Sequence, residues 1–74
     1  MSLSLSNQAE MVANNLETLM ANQIRVAQWA LDEWWESKDP DYLIAFERMA
    51  EKIQLTAGKI SAYERLAKGE TFDG

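Results

Sequence analysis

Lys38-Asp39-Pro40-Asp41 is the strongest break in a sequence that otherwise has helical periodicity from about residue 7 to residue 68. Proline lacks an amide N–H and disfavours helical backbone in the preceding residue, so Asp39-Pro40 ends one helix. Pro40 suits the first turn of the next helix, with Asp39 as its N-cap and Asp41 where the helix dipole favours negative charge. The turn is predicted at 38–41, and its last two residues already open the second helix. Because only two or three residues then separate the helices, the sequence predicts an antiparallel helical hairpin.

The chain has 74 residues, which allows a single domain close to the lower size at which one chain buries enough surface to fold alone. Small domains are usually completed by disulfides, metal ions or oligomerisation, and this sequence contains neither cysteine nor histidine. We therefore expect another protein chain to complete the core, and we expect no metal ion and no other cofactor.

Charge and composition exclude several functional classes. Twelve acidic and seven basic residues give a net charge of -5, which opposes binding to nucleic acid and to anionic lipid. The longest apolar run, Tyr42 to Phe46, is far shorter than the roughly 20 residues that span a bilayer. The first residues do not resemble a secretory signal, so a cytoplasmic location is expected. Without histidine or cysteine, Ser/His and Cys/His catalysis are excluded, and we expect no enzymatic activity.

Five carboxylates crowd around the turn and raise the question of a calcium or magnesium site. They lack the spacing and the glycine of an EF-hand loop, so the favoured interpretation is a solvated acidic turn that caps the second helix. These residues are Asp32, Glu33, Glu36, Asp39 and Asp41.

The first helix is predicted over residues 7–37, after a flexible arm at 1–6. Asn7 and Glu10 have the spacing of a capping box, and Ser6 is the competing cap. Most apolar residues of this helix fall on one broad arc of its surface. Gln23 lies near the middle of this apolar arc, where it needs a hydrogen-bond partner and would fix the register of the helix against its neighbour. The arc is wider than one antiparallel neighbour covers, so contact with more than one helix is expected. It comprises Ala9, Val12, Ala13, Leu16, Leu19, Met20, Ile24, Val26, Ala27, Ala30, Leu31 and Trp34.

The second helix is predicted over residues 40–68, with Lys68-Gly69 at its end and an acidic tail at 69–74. One apolar stripe of this helix is predicted to pack on the first helix and is called the seam. A second apolar stripe lies about 150° around the helix from the seam, with Arg48 and Lys59 at its margin. Gly58 either permits a close helix contact beside this stripe or is simply tolerated, at about 1 kcal/mol relative to alanine. The predicted seam is Tyr42, Phe46, Met49, Ile53, Ala57 or Thr56, Ile60 and Ala67; the second stripe is Ile44, Leu55, Ala62 and Leu66.

Three tryptophans lie within seven residues. Trp34 and Trp35 are interpreted as packing residues that face Tyr42 and Phe46 across the hairpin. Trp29 projects near the polar arc, between Arg25 and Glu33. It is either covered by another subunit, stacked under Arg25, or presented to a partner as an interface anchor.

From Lys38 to Tyr63 the chain has the pattern Asp-Pro-x-x-Leu-x-x-Phe, which opens a second helix after a long first one. This pattern resembles the hairpins of type III secretion needle subunits and of their small helical chaperones. The chain departs from the needle pattern at Gly69 to Gly74, where needle subunits have an apolar helical terminus. The resemblance implies an alternative function as a helical-hairpin chaperone or filament subunit of a secretion system.

The sequence thus predicts an all-α protein, an antiparallel two-helix hairpin that dimerises by two-fold pairing into a four-helix bundle. The expected function is a small acidic interaction or adaptor module that binds itself, another protein, or both. A second alternative is a phage-like acidic inhibitor that blocks a partner's nucleic-acid-binding surface, although the basic residues are interspersed with the acids. The candidate interface residues are Arg25, Trp29, Ile44, Leu55, Gly58, Ala62 and Leu66.

Overall fold

The computed structural model describes residues 4–69, which form two helices, α1 (Leu5–Ser37) and α2 (Pro40–Ala67). The helices pack against each other as a hairpin, so the predicted all-α architecture is confirmed. The molecule is a slab of 52 × 30 × 13 Å, long and only one helix layer thick. Neither helix contains an apolar stretch long enough to cross a bilayer, within the residues that are described.

Local hydrogen bonds end α1 at the turn. The backbone N–H of Lys38 donates to the carbonyl of Trp34 at 2.7 Å. The Ser37 hydroxyl donates to the Glu33 carbonyl at 2.7 Å and accepts from the Asp39 N–H at 3.1 Å. Lys38 has φ 57°, in the left-handed region, which costs a residue with a side chain roughly 1–2 kcal/mol. The chain therefore reverses at Lys38 without a glycine.

The first turn of α2 is built as the sequence predicts. Asp39 is the N-cap, and its side-chain Oδ1 accepts from the N–H of Asp41 at 3.0 Å. Pro40 is the first helical residue, where its missing N–H costs nothing because the first N–H groups of a helix have no intrahelical acceptor. The predicted cap and the predicted start of α2 are both confirmed.

The start of α1 differs from the prediction. The N-cap is Ser4, whose hydroxyl accepts from the N–H of Asn7 at 3.2 Å, so the expected cap at Asn7 or Ser6 was wrong. Ser6 is already helical, and its hydroxyl donates to the carbonyl of Ala67 at 2.8 Å. That bond satisfies a carbonyl that the end of α2 would otherwise leave without a partner. Of the predicted arm at 1–6, residues 4–6 are thus ordered, and residues 1–3 lie outside the described residues.

The end of α2 follows the predicted pattern. Lys68 is the C-cap, and its N–H donates to the carbonyl of Glu64 at 3.1 Å. Gly69 has φ 81°, a conformation that glycine adopts without steric cost, and its N–H donates to the carbonyl of Leu66 at 3.0 Å. Residues 70–74 of the predicted acidic tail lie outside the described residues.

The seam between the helices joins small residues of α1 to larger residues of α2. The buried apolar residues of α1 are all alanines: Ala9, Ala13, Ala27 and Ala30. Small side chains let the helix axes approach, because interaxial distance depends on the residues at the contact. The facing residues of α2 include the half-buried Phe46, Met49, Ile53 and Tyr63 and the buried Ile60.

One position of the predicted α2 seam was left open between Thr56 and Ala57. Thr56 is buried and Ala57 is exposed, so the seam passes through Thr56. The Thr56 hydroxyl donates to the carbonyl of Lys52 at 2.9 Å, which satisfies it within its own helix. Threonine therefore occupies a core position without a partner from α1.

Gln23 occupies the middle of the α1 seam, but its predicted hydrogen bond is not present among the described residues. Its side-chain Oε1 is buried without a hydrogen-bond partner. The nearest seam positions on its own helix, Met20 and Ala27, are apolar and offer no donor. A buried acceptor left unpaired costs about 1–3 kcal/mol, so Gln23 is a local weakness of the hairpin.

We expect Asp39→Ala to lower the free energy of unfolding by about 0.5–2 kcal/mol, because it removes the acceptor for the Asp41 N–H. Asp39→Asn is the matched control, since asparagine caps about as well as aspartate. Urea unfolding followed by circular dichroism measures both. An unchanged midpoint and slope for Asp39→Ala would show that this cap does not stabilise the turn.

We expect Gln23→Leu to raise the free energy of unfolding by about 1 kcal/mol or more, because leucine fills a similar volume and removes the unpaired acceptor. Gln28→Leu is the control, a substitution of the same kind at an exposed position of α1. Urea titrations at one protein concentration make the comparison. Destabilisation by Gln23→Leu would mean that the Gln23 amide has a partner in solution.

Candidate interaction surfaces

The slab has two broad sides, and the position of each residue relative to the seam decides its side. Each residue rotates about 100° from the last, so residues directly after a seam residue lie on one side and residues directly before it lie on the other. Two antiparallel helices are related by an approximate two-fold axis perpendicular to the slab. Rotation about this axis exchanges the helices but does not exchange the two broad sides. The same rule therefore assigns α1 and α2 residues to the same sides.

One broad side, called the acidic side, consists of the residues that come directly after a seam residue in the sequence. Glu10, Glu17 and Glu64 line a groove of about 350 Å³ near the chain ends, so α1 and α2 bring their carboxylates to one surface. Toward the turn the same rows become apolar, with Ile24 and Leu31 exposed on α1. The groove residues are Glu10, Ala13, Asn14, Glu17, Glu64, Ala67 and Lys68. The α2 row is Leu43, Ala50, Ala57 and Glu64.

The other broad side, called the basic side, consists of the residues that come directly before a seam residue in the sequence. Its α1 row is Leu5, Val12, Leu19 and Val26, seven residues apart and exposed by 69%, 37%, 46% and 47%. Its α2 row contains Lys52 and Lys59, both exposed, between Ala45 and Leu66, with exposed Arg48 beside them. Two acids, Glu33 and Asp41, lie on this side near the turn. An apolar row thus runs beside a basic row.

Aromatic residues cluster at the turn, in an arrangement that corrects the predicted one. Trp29, not Trp35, packs against α2: its ring meets that of Tyr42 edge-on, with centroids 5.7 Å apart. Trp35 is 69% exposed and tilts against Trp34, with centroids 6.1 Å apart. The Nζ atom of Lys38 lies 3.8 Å from the Trp35 centroid and 4.5 Å from that of Trp34. These cation–π contacts offset part of the left-handed strain at Lys38.

The predicted interface residues fall on different surfaces. Leu55 lies on the basic side and is 68% exposed, whereas Ala62 and Leu66 on the same side are half-buried by the hairpin. Ile44, Gly58 and Arg25 lie on the outer edges. A Cβ added at Gly58 meets nothing within 4 Å, so Gly58 makes no close contact inside the hairpin.

Trp29 lies on the basic side and is 55% exposed. Within residues 4–69 its ring neighbour is Tyr42 rather than Arg25, so stacking under Arg25 is not observed. Because more than half of the side chain is exposed, cover by another subunit and anchoring of a partner both stay predictions.

Charge is distributed unevenly along the chain, and the acidic excess at the turn extends beyond the five carboxylates singled out above to Glu47. Residues 29–47, which surround the turn, contain six acidic residues and one basic residue, Lys38. The rest of the chain contains six acidic and six basic residues, so the whole net charge of -5 lies at the turn. The acidic turn is apparent in the sequence, and a count by segment adds that the remainder of the chain is neutral. The turn carboxylates do not form a metal-binding group, since no three candidate ligands converge among residues 4–69.

No protein-family model matches the chain, and no similar curated protein or solved structure is found. The surfaces of the hairpin are therefore the basis for proposing a function.

We expect Trp29→Ala to lower the free energy of unfolding by about 1 kcal/mol more than Trp35→Ala. Trp29 joins the two helices through Tyr42, and an aromatic pair contributes about 0.5–1.5 kcal/mol beyond its buried area. Trp35 contacts only residues at the same end of α1, Trp34 and Lys38, among the ring contacts described. Urea unfolding at equal protein concentration compares them, and an equal or larger effect at Trp35 would contradict the assignment.

Proposed function

We propose that this chain is a non-enzymatic protein–protein interaction module that associates with itself through the broad sides of its hairpin. Its smallest assembly is a homodimer, in which two hairpins make a four-helix bundle. The observation that supports this proposal is the small interior of the hairpin compared with its exposed apolar surface.

The interior of the single hairpin is small. Among the described residues the buried positions are four alanines, Thr56 and Ile60, and no large side chain is fully buried. Eleven large apolar side chains stay exposed, which is far more than monomers that function alone usually present in connected rows. They are Leu5, Met11, Val12, Leu19, Ile24, Val26, Trp29, Leu31, Trp35, Ile44 and Leu55.

The turn directs association toward the sides of the slab. Like charges at short range repel, so two turns with most of the net negative charge do not pack end to end. The apolar rows run along both broad sides, where a second hairpin can cover them over several helical turns. Side-by-side packing therefore removes the most apolar surface from water.

A second candidate function follows from the charge at the turn. An acidic end with exposed Trp35 has the character expected of an inhibitor that covers a basic surface of another protein. An inhibitor of this kind has no need to self-associate. Sedimentation of the isolated chain therefore separates the two proposals.

We expect the unmodified chain to sediment as a dimer or larger species at micromolar concentration. Leu19→Glu and Leu55→Glu should each weaken association at least about tenfold, or about 1.4 kcal/mol, because each replaces an apolar side chain of the contact by a carboxylate that loses its water on association. Leu55 is a cleaner probe than Leu66, because Leu66 is already half-buried in the hairpin. Sedimentation equilibrium measures the association constants.

Thr18→Glu is the matched control for Leu19→Glu, since Thr18 is exposed on the outer edge of α1. It should leave association unchanged. A stable, cooperatively unfolding monomer at all accessible concentrations would overturn the proposed self-association.

A further inference from the structure

We propose that the hairpins associate head to tail, with the acidic side of one copy packed on the basic side of the next. In this contact Glu10 and Glu17 of one copy lie opposite Lys52 and Lys59 of its neighbour. The inference rests on the proposed function and adds to it the surface used by each copy and the order of the copies.

The charged residues have matching spacing. Glu10 and Glu17 are seven residues apart on α1, and Lys52 and Lys59 are seven residues apart on α2. Seven residues make about two turns, or about 10.5 Å, along either helix. All four side chains are exposed, so both pairs are free to meet at the same time when one helix lies along the other. Two pairs at one spacing define a register, which a single pair does not.

The apolar residues beside these charges supply the buried surface of the contact. On the basic side the row from Leu5 to Val26 is apolar throughout. On the acidic side Ile24 and Leu31 continue the row of Glu10 and Glu17, and the facing row on α2 is apolar from Leu43 to Ala57. Apolar burial gives most of the affinity, whereas charge selects which surfaces meet.

Pairing of like sides is disfavoured by the same charges. A two-fold contact between basic sides brings Lys52 and Lys59 toward the lysines of the second copy. A contact between acidic sides brings together Glu10, Glu17 and Glu64 of both copies. Like-charge contacts of this kind act against an interface, whereas the mixed contact pairs every one of these lysines with a carboxylate.

A head-to-tail contact has a consequence for assembly. Each pair of hairpins leaves one basic and one acidic side uncovered, and each of these surfaces is free to bind another copy. Contacts that join unlike surfaces form rings or extended filaments, whereas a two-fold contact stops at two copies. The dimer is then the smallest assembly of the chain, and it grows as concentration rises.

Charge reversal tests the pairing. The first variant is Lys52→Glu with Lys59→Glu, which makes both sides acidic; the second is Glu10→Lys with Glu17→Lys, which makes both sides basic. Each alone should associate at least about tenfold more weakly than the unmodified chain in sedimentation velocity at low salt, and an equimolar mixture should recover association. A variant with all four substitutions keeps the net charge and should also recover it.

The controls separate folding and net charge from pairing. Arg25→Glu and Glu51→Lys change exposed charges on the outer edges and should leave association unchanged. Circular dichroism should show unchanged helix content in every variant, because all the substituted side chains are exposed. Raised salt should weaken association of the unmodified chain and strengthen that of the two reversed variants.

Other outcomes overturn the inference in distinguishable ways. If an equimolar mixture of the unmodified chain and the lysine-reversed variant associates more tightly than either alone, and the glutamate-reversed variant associates as the unmodified chain does, basic sides face each other and the contact is two-fold. If both reversed variants associate as the unmodified chain does, these charges do not select the contact. If the unmodified chain is a monomer, the proposed self-association and this inference both fail. Sedimentation of the unmodified chain alone shows this outcome, whereas failure of the head-to-tail order alone is shown by the charge variants.

Discussion

The close contact between the alanines of α1 and the larger side chains of α2 holds the molecule together. Ala9, Ala13, Ala27 and Ala30 on α1 and Ile60 on α2 are buried at the seam, where small side chains let the helix backbones approach. Small residues also limit how much apolar surface this contact removes from water, since hydrophobic stabilisation scales with buried area. The hairpin is thus defined by its seam but gains little interior from it.

Both ends of the seam are fixed by polar groups, which sets the two broad sides in register. At the turn, Ser37 and Asp39 bond to nearby backbone groups and leave only Lys38 in a strained conformation. At the open end, the Ser6 hydroxyl reaches the carbonyl of Ala67. In this register Glu10 and Glu17 of α1 and Glu64 of α2 line one groove.

A one-layer slab leaves the remaining apolar residues outside, and this explains why its exposed apolar surfaces are broad rather than concave. The groove near the chain ends is open and lined by carboxylates on a surface that continues into exposed Ile24 and Leu31. Extended surfaces of mixed apolar and charged character are typical of protein interfaces, whereas small-molecule sites are enclosed and mostly apolar. Self-association is proposed from this exposed apolar surface, and the head-to-tail order from the charges beside it.

Local chemistry determined the hairpin from sequence alone, because the Asp39-Pro40 cap, the Lys68-Gly69 stop and the helical periodicity act within a few residues of each other. Tertiary structure decided what depends on distant residues. Ser6 belongs to α1 and bonds to Ala67, Thr56 rather than Ala57 enters the seam, and Trp29 rather than Trp35 meets Tyr42. Periodicity gave a wide apolar arc, but only the packed pair showed which part the hairpin covers. Burial depends on the rotation of one helix against the other, and a single helix does not specify that rotation.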